Sequence, residues 1–85
     1  MTRGLLIAEP AARRLRKLPR HDLEHVDAAL EEMRTNPYSG DIRYLRGAGG
    51  ALRRRVGVWR IVFELHKDKH LVVVLAVKRR NSKTY

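Results

Sequence analysis

The spacing of apolar residues along this chain changes once, near residue 40. Before that point Ala11, Leu15 and Leu18 stand four and three apart, and Leu23, Val26, Leu30 and Met33 follow the same rule. That period predicts two amphipathic helices. Pro10 suits a first helical turn with Glu9 at its positive end, and Pro19 stops the helix. Asp22 is the expected N-cap of the second helix, whose other side carries Glu24, Asp27, Glu31 and Glu32. It ends at Asn36-Pro37, because a residue before proline avoids helical geometry. A short apolar run ahead of the helices predicts a first strand over residues 3–8.

After residue 40 the pattern is that of strands, over residues 42–45, 52–56, 59–65 and 71–77. The last of these is apolar at every position, which predicts an interior strand covered on both faces. The expected architecture is α+β: two N-terminal helices packed on a small twisted antiparallel sheet, in the order β-α-α-β-β-β-β. With 85 residues the chain is read as one domain, residues 1–85.

Within this frame Gly57-Val58 fits a two-residue turn of type II′, which places glycine first. The register then pairs Val56 with Trp59, Arg55 with Arg60, Arg54 with Ile61 and Arg53 with Val62. Side chains alternate between faces, and directly paired residues share one. Leu52, Val56, Trp59, Ile61 and Phe63 therefore form the core face, and Arg53, Arg55 and Arg60 stand together on the other. Arg54 falls on the core side and is expected to snorkel at the sheet's edge. Opposing Arg55 to Arg60 disfavours a hairpin, and a bound phosphate would reverse that repulsion. Glu64, diagonal to Arg53, is the carboxylate expected to neutralise part of this charge.

Composition sharpens the picture. Nineteen Lys and Arg against nine Asp and Glu give a net charge of +10, and fourteen of the cations are arginine, the residue that grips phosphate with a planar fork. A polyanionic partner is implied, although a solvated basic surface has the same composition. The chain has no cysteine, which rules out disulfides and thiolate metal sites and favours a cytoplasmic setting. The run Leu5-Leu6-Ile7 is too short for a signal-peptide core or a membrane span.

A second basic group, Lys78-Arg79-Arg80, follows the apolar strand, and Tyr85 adds a stacking surface and an ionisable phenol. His21 and His25 lie one helical turn apart without a third ligand, and His66 and His70 bracket a polar turn. Neither pair makes a metal site, and no metal or cofactor is called for. No Ser-His-Asp set, phosphate-cradling glycine loop or paired-carboxylate site is present.

The stretch Leu52-Arg-Arg-Arg-Val-Gly-Val-Trp-Arg-Ile-Val-Phe-Glu-Leu65 resembles a signature of the RelE/ParE toxin superfamily, and the apolar strand leading to Lys78-Arg79-Arg80 and Tyr85 resembles that family's ending. The resemblance implies the toxin of a type II toxin–antitoxin system, neutralised by a small acidic antitoxin. For the RelE-like branch it implies a ribosome-dependent, metal-independent mRNA endonuclease, in which the RNA 2′-hydroxyl attacks the adjacent phosphate. Arg53 and Arg55 would then contact phosphates, Arg60 would stabilise the transition state, Arg79 or Arg80 would assist the leaving group, and Tyr85 would be catalytic or stack on a base. The ParE-like branch implies a DNA gyrase inhibitor instead, and a non-catalytic nucleic-acid-binding module is the third reading. Here Val58 replaces the signature's aspartate, Trp59 its tyrosine, and Ala51 a lysine used in some members.

Overall fold

A computed structural model describes residues 2–47 and 49–79; Arg80 and Tyr85 lie outside them. The chain runs β1 (Gly4–Ile7), α1 (Glu9–Arg16), α2 (Arg20–Thr35), β2 (Asp41–Tyr44), β3 (Leu52–Val56), β4 (Trp59–His66) and β5 (Leu71–Arg79). A single 3-10 turn over Lys67–Lys69 joins β4 to β5, with His70 closing it in the left-handed region at φ 54°.

Pro19 separates the helices. α1 ends at Arg16, three residues before it, and Pro19 itself is extended (φ −56°, ψ 149°) with its carbonyl accepting the Leu23 N–H at 2.9 Å as the first bond of α2. The second helix thus starts at Arg20, and Asp22 lies inside its first turn without making a side-chain cap. This corrects the expected cap. Proline at that junction supplies the carbonyl the helix needs, and Asp22 remains near the positive end. Ala11 of α1 and Val26, Ala29, Leu30 and Met33 of α2 are buried against the sheet.

The five strands lie in the order β1-β5-β4-β3-β2. All pairs are antiparallel except β1 with β5, which run parallel, so the sheet is mixed. Hydrophobic alternation reports which face a residue occupies and not the direction of its neighbour, so this pairing was not readable from the pattern.

One face of the sheet is the core, with Leu52, Trp59, Ile61, Phe63, Val72, Val74 and Val77 packed beneath the helices. β5 is an interior strand, yet only Val72, Val74 and Val77 are buried; Val73, Leu75 and Ala76 are half-buried. The expectation of cover on both faces is corrected accordingly. An irregularity in the β4–β5 register, where Val62 pairs with Ala76 and Phe63 with Val74, shifts the phase of alternation. That is how Val74 and Val77, three residues apart, both reach the core.

The hairpin forms with the expected register, Val56 to Trp59 and Arg55 to Arg60. Gly57 has φ 58° while Val58 keeps a negative φ, as a turn with glycine in its first central position requires.

Candidate nucleic-acid interface

Strand alternation decides which cations meet. On the face opposite the helices, Asp41 of β2 pairs with Arg55 of β3, Arg55 with Arg60 of β4, and Arg60 with Lys78 of β5. These four residues form one row straight across four strands. Behind it, Arg43 pairs with Arg53. Among the described residues this face carries Arg43, Arg53, Arg55, Arg60 and Lys78 against Asp41 and Glu64. Neighbouring Cβ atoms in such a row stand about 4.5–5.5 Å apart, and each directly opposed like pair is unfavourable by up to about 1 kcal/mol. Three adjacent cations in register therefore form an anion-seeking surface.

The arginines differ in availability. Arg53 is 7% exposed, and its Nη1 donates to the Asp41 carboxylate and to the Asp41 carbonyl, both at 3.4 Å. Arg55 is 31% exposed, with Nη1 3.8 Å from the other Asp41 oxygen. Arg60 makes no ion pair among the described residues. The Nε groups of Arg55 and Arg60 are buried and meet no acceptor among them. Those two side chains carry the unsatisfied donors of the site, whereas Arg53 is already occupied.

The carboxylate that neutralises Arg53 is Asp41 and not Glu64. Glu64 lies 3.1 Å from the His66 ring Nε2 instead. That pair shares the outer face, but four residues of extended strand, about 13 Å, separate Glu64 from Arg60. It is too far away to serve the same phosphate. Lys78 belongs to the second basic group and joins the row through β5, while sequence reasoning missed Asp41 and Arg43. Their signal was the alternation Asp41-Ile42-Arg43, which becomes informative only once the pairing of β2 with β3 is known.

Arg54 has a different fate from its neighbours. It points into the core side, 9% exposed, and forms an ion pair with Glu32 of α2. Its Nη1 also donates to Ser39 Oγ at 3.2 Å and to the Ala29 carbonyl at 3.3 Å. It is thus buried under the end of α2, which corrects the expected edge position. Gly40 makes room for it: at φ 78° a Cβ there would come within 2.9 Å of Arg54 Nε. Arg54 donates a hydrogen bond to Glu32 and lies beside it as a positive charge, which together hold the Glu32 carboxyl below its usual value; Ser39 adds to this and burial opposes it.

The tail divides between faces. Lys78 belongs to the arginine row, while Arg79 is the β-partner of Trp59 on the helix side. Its guanidinium lies 6.0 Å from the indole ring centre, and Arg14 of α1 approaches the same ring at 5.4 Å. The structure therefore does not bring Arg79 together with Arg53, Arg55 and Arg60. The His21 and His25 rings lie with centres 4.5 Å apart on α2, tilted 49° to each other. Among the described residues there is no cluster of three or more metal-ligating side chains, and no helix is long and apolar enough to cross a membrane.

Comparison with known proteins places this geometry. Residues 5–83 match the family model described as the ParE toxin of the type II toxin–antitoxin system parDE. Among solved structures, a chain of the RelBE2 toxin–antitoxin complex from Mycobacterium tuberculosis superposes with TM-score 0.81 at 26% identity, over 94% of this chain and 100% of that one. The isolated E. coli RelE toxin gives TM-score 0.82 at 23% identity, over 96% and 88% of the two chains. The YoeB/ParE toxin from Agrobacterium tumefaciens gives 0.78 at 13% identity, over 92% and 99%. A comparison with curated proteins returns no match.

Proposed function

This chain belongs to the ParE toxin family of type II toxin–antitoxin systems, and on that premise we propose that it is a ribosome-dependent, metal-independent endonuclease acting on mRNA. The observation that carries this reading is the row Arg55–Arg60–Lys78, three cations in register across adjacent strands with two buried, unpartnered guanidinium Nε groups. A structural sheet gains nothing from such a row; a phosphodiester does.

In this reaction the 2′-oxygen of one nucleotide bonds to the adjacent phosphorus, the bond to the following 5′-oxygen breaks, and a 2′,3′-cyclic phosphate remains. The 2′-hydroxyl gives up a proton and the leaving 5′-oxygen takes one. Between these events the phosphorane carries extra negative charge. Arg60 and Arg55, held on a rigid strand pair, stabilise that charge without having to reorganise. Lys78 extends the field along the backbone, and Arg53 supports the row from behind. The proton transfers are assigned to the tail: Tyr85, as the phenolate, takes the 2′-hydroxyl proton, and the leaving 5′-oxygen takes one from water while Arg80, which stays protonated, donates a hydrogen bond to it. Arg79 lies on the helix side beside Trp59, so in this proposal the leaving-group role that the resemblance gives to Arg79 or Arg80 goes to Arg80.

The partner that silences the toxin is a small acidic antitoxin, in keeping with the toxin–antitoxin complex formed by the similar M. tuberculosis protein and with the +10 charge of this chain. The working compartment is the cytoplasm.

Mapping mRNA 5′ ends in a translating extract tests the proposal: new cleavages within codons, abolished by Arg60→Ala, are expected. A second reading, inhibition of DNA gyrase by binding, is favoured by the family model itself and by Arg14 and Arg79 flanking Trp59 on the helix side. Intact mRNA together with lost supercoiling in a purified gyrase assay would select it.

A further inference from the structure

Asp41 is out of place by the usual rules. Aspartate is depleted in strands, yet it stands in β2 at the end of the cation row, directly opposite Arg55. Its carboxylate touches two of the three arginines of β3: Arg53 at 3.4 Å and Arg55 at 3.8 Å. The two contacts are unequal. Arg53 is nearly fully buried and has a second bond, to the Asp41 carbonyl at 3.4 Å. Arg55 is held by the carboxylate alone, at longer range, with much of its fork free. An ion pair this exposed is weak and readily exchanged, whereas the buried one persists.

We infer that Asp41 is a positioning residue: an internal carboxylate that anchors Arg53 permanently and holds Arg55 until an RNA phosphate displaces it. The inference rests on reading this face as the RNA site. A carboxylate in that position does two opposing things. It keeps the β3 guanidinium groups from splaying apart by mutual repulsion, which preserves geometry for the phosphorane. It also lowers affinity, because the incoming phosphate must compete with it. A residue acting only in folding would change neither.

The test is steady-state cleavage of a defined mRNA on purified ribosomes, with the affinity for a defined single-stranded RNA oligonucleotide measured alongside. The variants are Asp41→Asn, Asp41→Ala, Arg55→Ala and Arg60→Ala, each checked by thermal melting. Asp41→Asn is expected to tighten oligonucleotide binding and lower KM by roughly three- to fivefold, and to lower kcat about tenfold through loss of alignment. Asp41→Ala, which also removes the acceptor for Arg53, lowers kcat further. Unchanged kcat, weaker binding, or failure of both Asp41 variants to fold overturns the positioning role. Arginine variants that bind and cleave as the wild type does would overturn the RNA-site reading itself, and this role with it. Arginine variants that fail beside an Asp41→Asn protein equal to wild type would keep the site and remove Asp41 from it.

Discussion

Arg54 and Arg55 are adjacent in sequence and opposite in meaning. Arg54 lies under α2 with Glu32, Ser39 and the Ala29 carbonyl around it. Arg55 stands on the other face between Asp41 and Arg60, in a row where like charges meet. One side chain is surrounded by acceptors that the fold supplies. The other has a cation on one side and only a long contact to Asp41 on the other, and its Nε meets no acceptor among the described residues. The same residue type thus reports stability on one side of the sheet and binding on the other, and the partners, not the charge, tell them apart.

The contrast can be broken most forcefully at Arg60. Replacing Arg60 or Arg55 with alanine is expected to lower mRNA cleavage at least about 100-fold, the scale of losing a preorganised transition-state donor. The melting temperature should hold or rise slightly, since each change removes a like-charge pair. Initial cleavage rates and melts on the same samples check this, and a large drop in melting temperature would make the row structural.

Arg54→Ala should do the reverse. It empties a buried position and strips the partner from Glu32, and should lower the melting temperature by on the order of 10 °C. The residual folded protein should still bind RNA with near wild-type affinity. Gly40→Ala attacks the same cluster from the backbone, through its positive φ and the close approach to Arg54. A loss of about 1–2 kcal/mol by urea unfolding is expected, and the double variant with Arg54→Ala should fall short of the sum.

The smallest effect is in acid. Glu32 has a folded pKa held below its ordinary 4.5 by the Arg54 hydrogen bond and charge. A depressed carboxylate pKa stabilises the fold above the ordinary value, and that contribution is lost as pH falls through the folded one. The gap in melting temperature between wild type and Arg54→Met should therefore be constant near neutrality and narrow below about pH 4.5. A gap that stays constant into acid would show that the pair contributes packing alone.

Much of this is legible in the sequence. The helix period, the strand alternation and the Gly57-Val58 turn together led to the hairpin register, residue for residue, and hence to Arg53, Arg55 and Arg60 on one face. Local sequence carries such information because a two-residue turn leaves only one pairing and alternation then distributes every side chain. The sequence by itself also set the charge, the absence of thiol chemistry and the family resemblance.

Tertiary structure alone decided which arginines are free. Asp41 reaches the row, and Arg43 the position behind it, only because β2 pairs with β3, and Lys78 reaches the row because β5 pairs with β4. The apolar run over residues 71–77 of β5 hid both its register shift and its parallel neighbour β1, since a run without polar positions gives no phase to read. Alternation puts Arg54 on the core side, but its partner Glu32 lies 22 residues away on α2. Pairing over such separations depends on how elements pack, and no local period encodes it. That is why the chain announced an anion-binding hairpin, while the fold determined that Arg55, Arg60 and Lys78 are the cations left to bind.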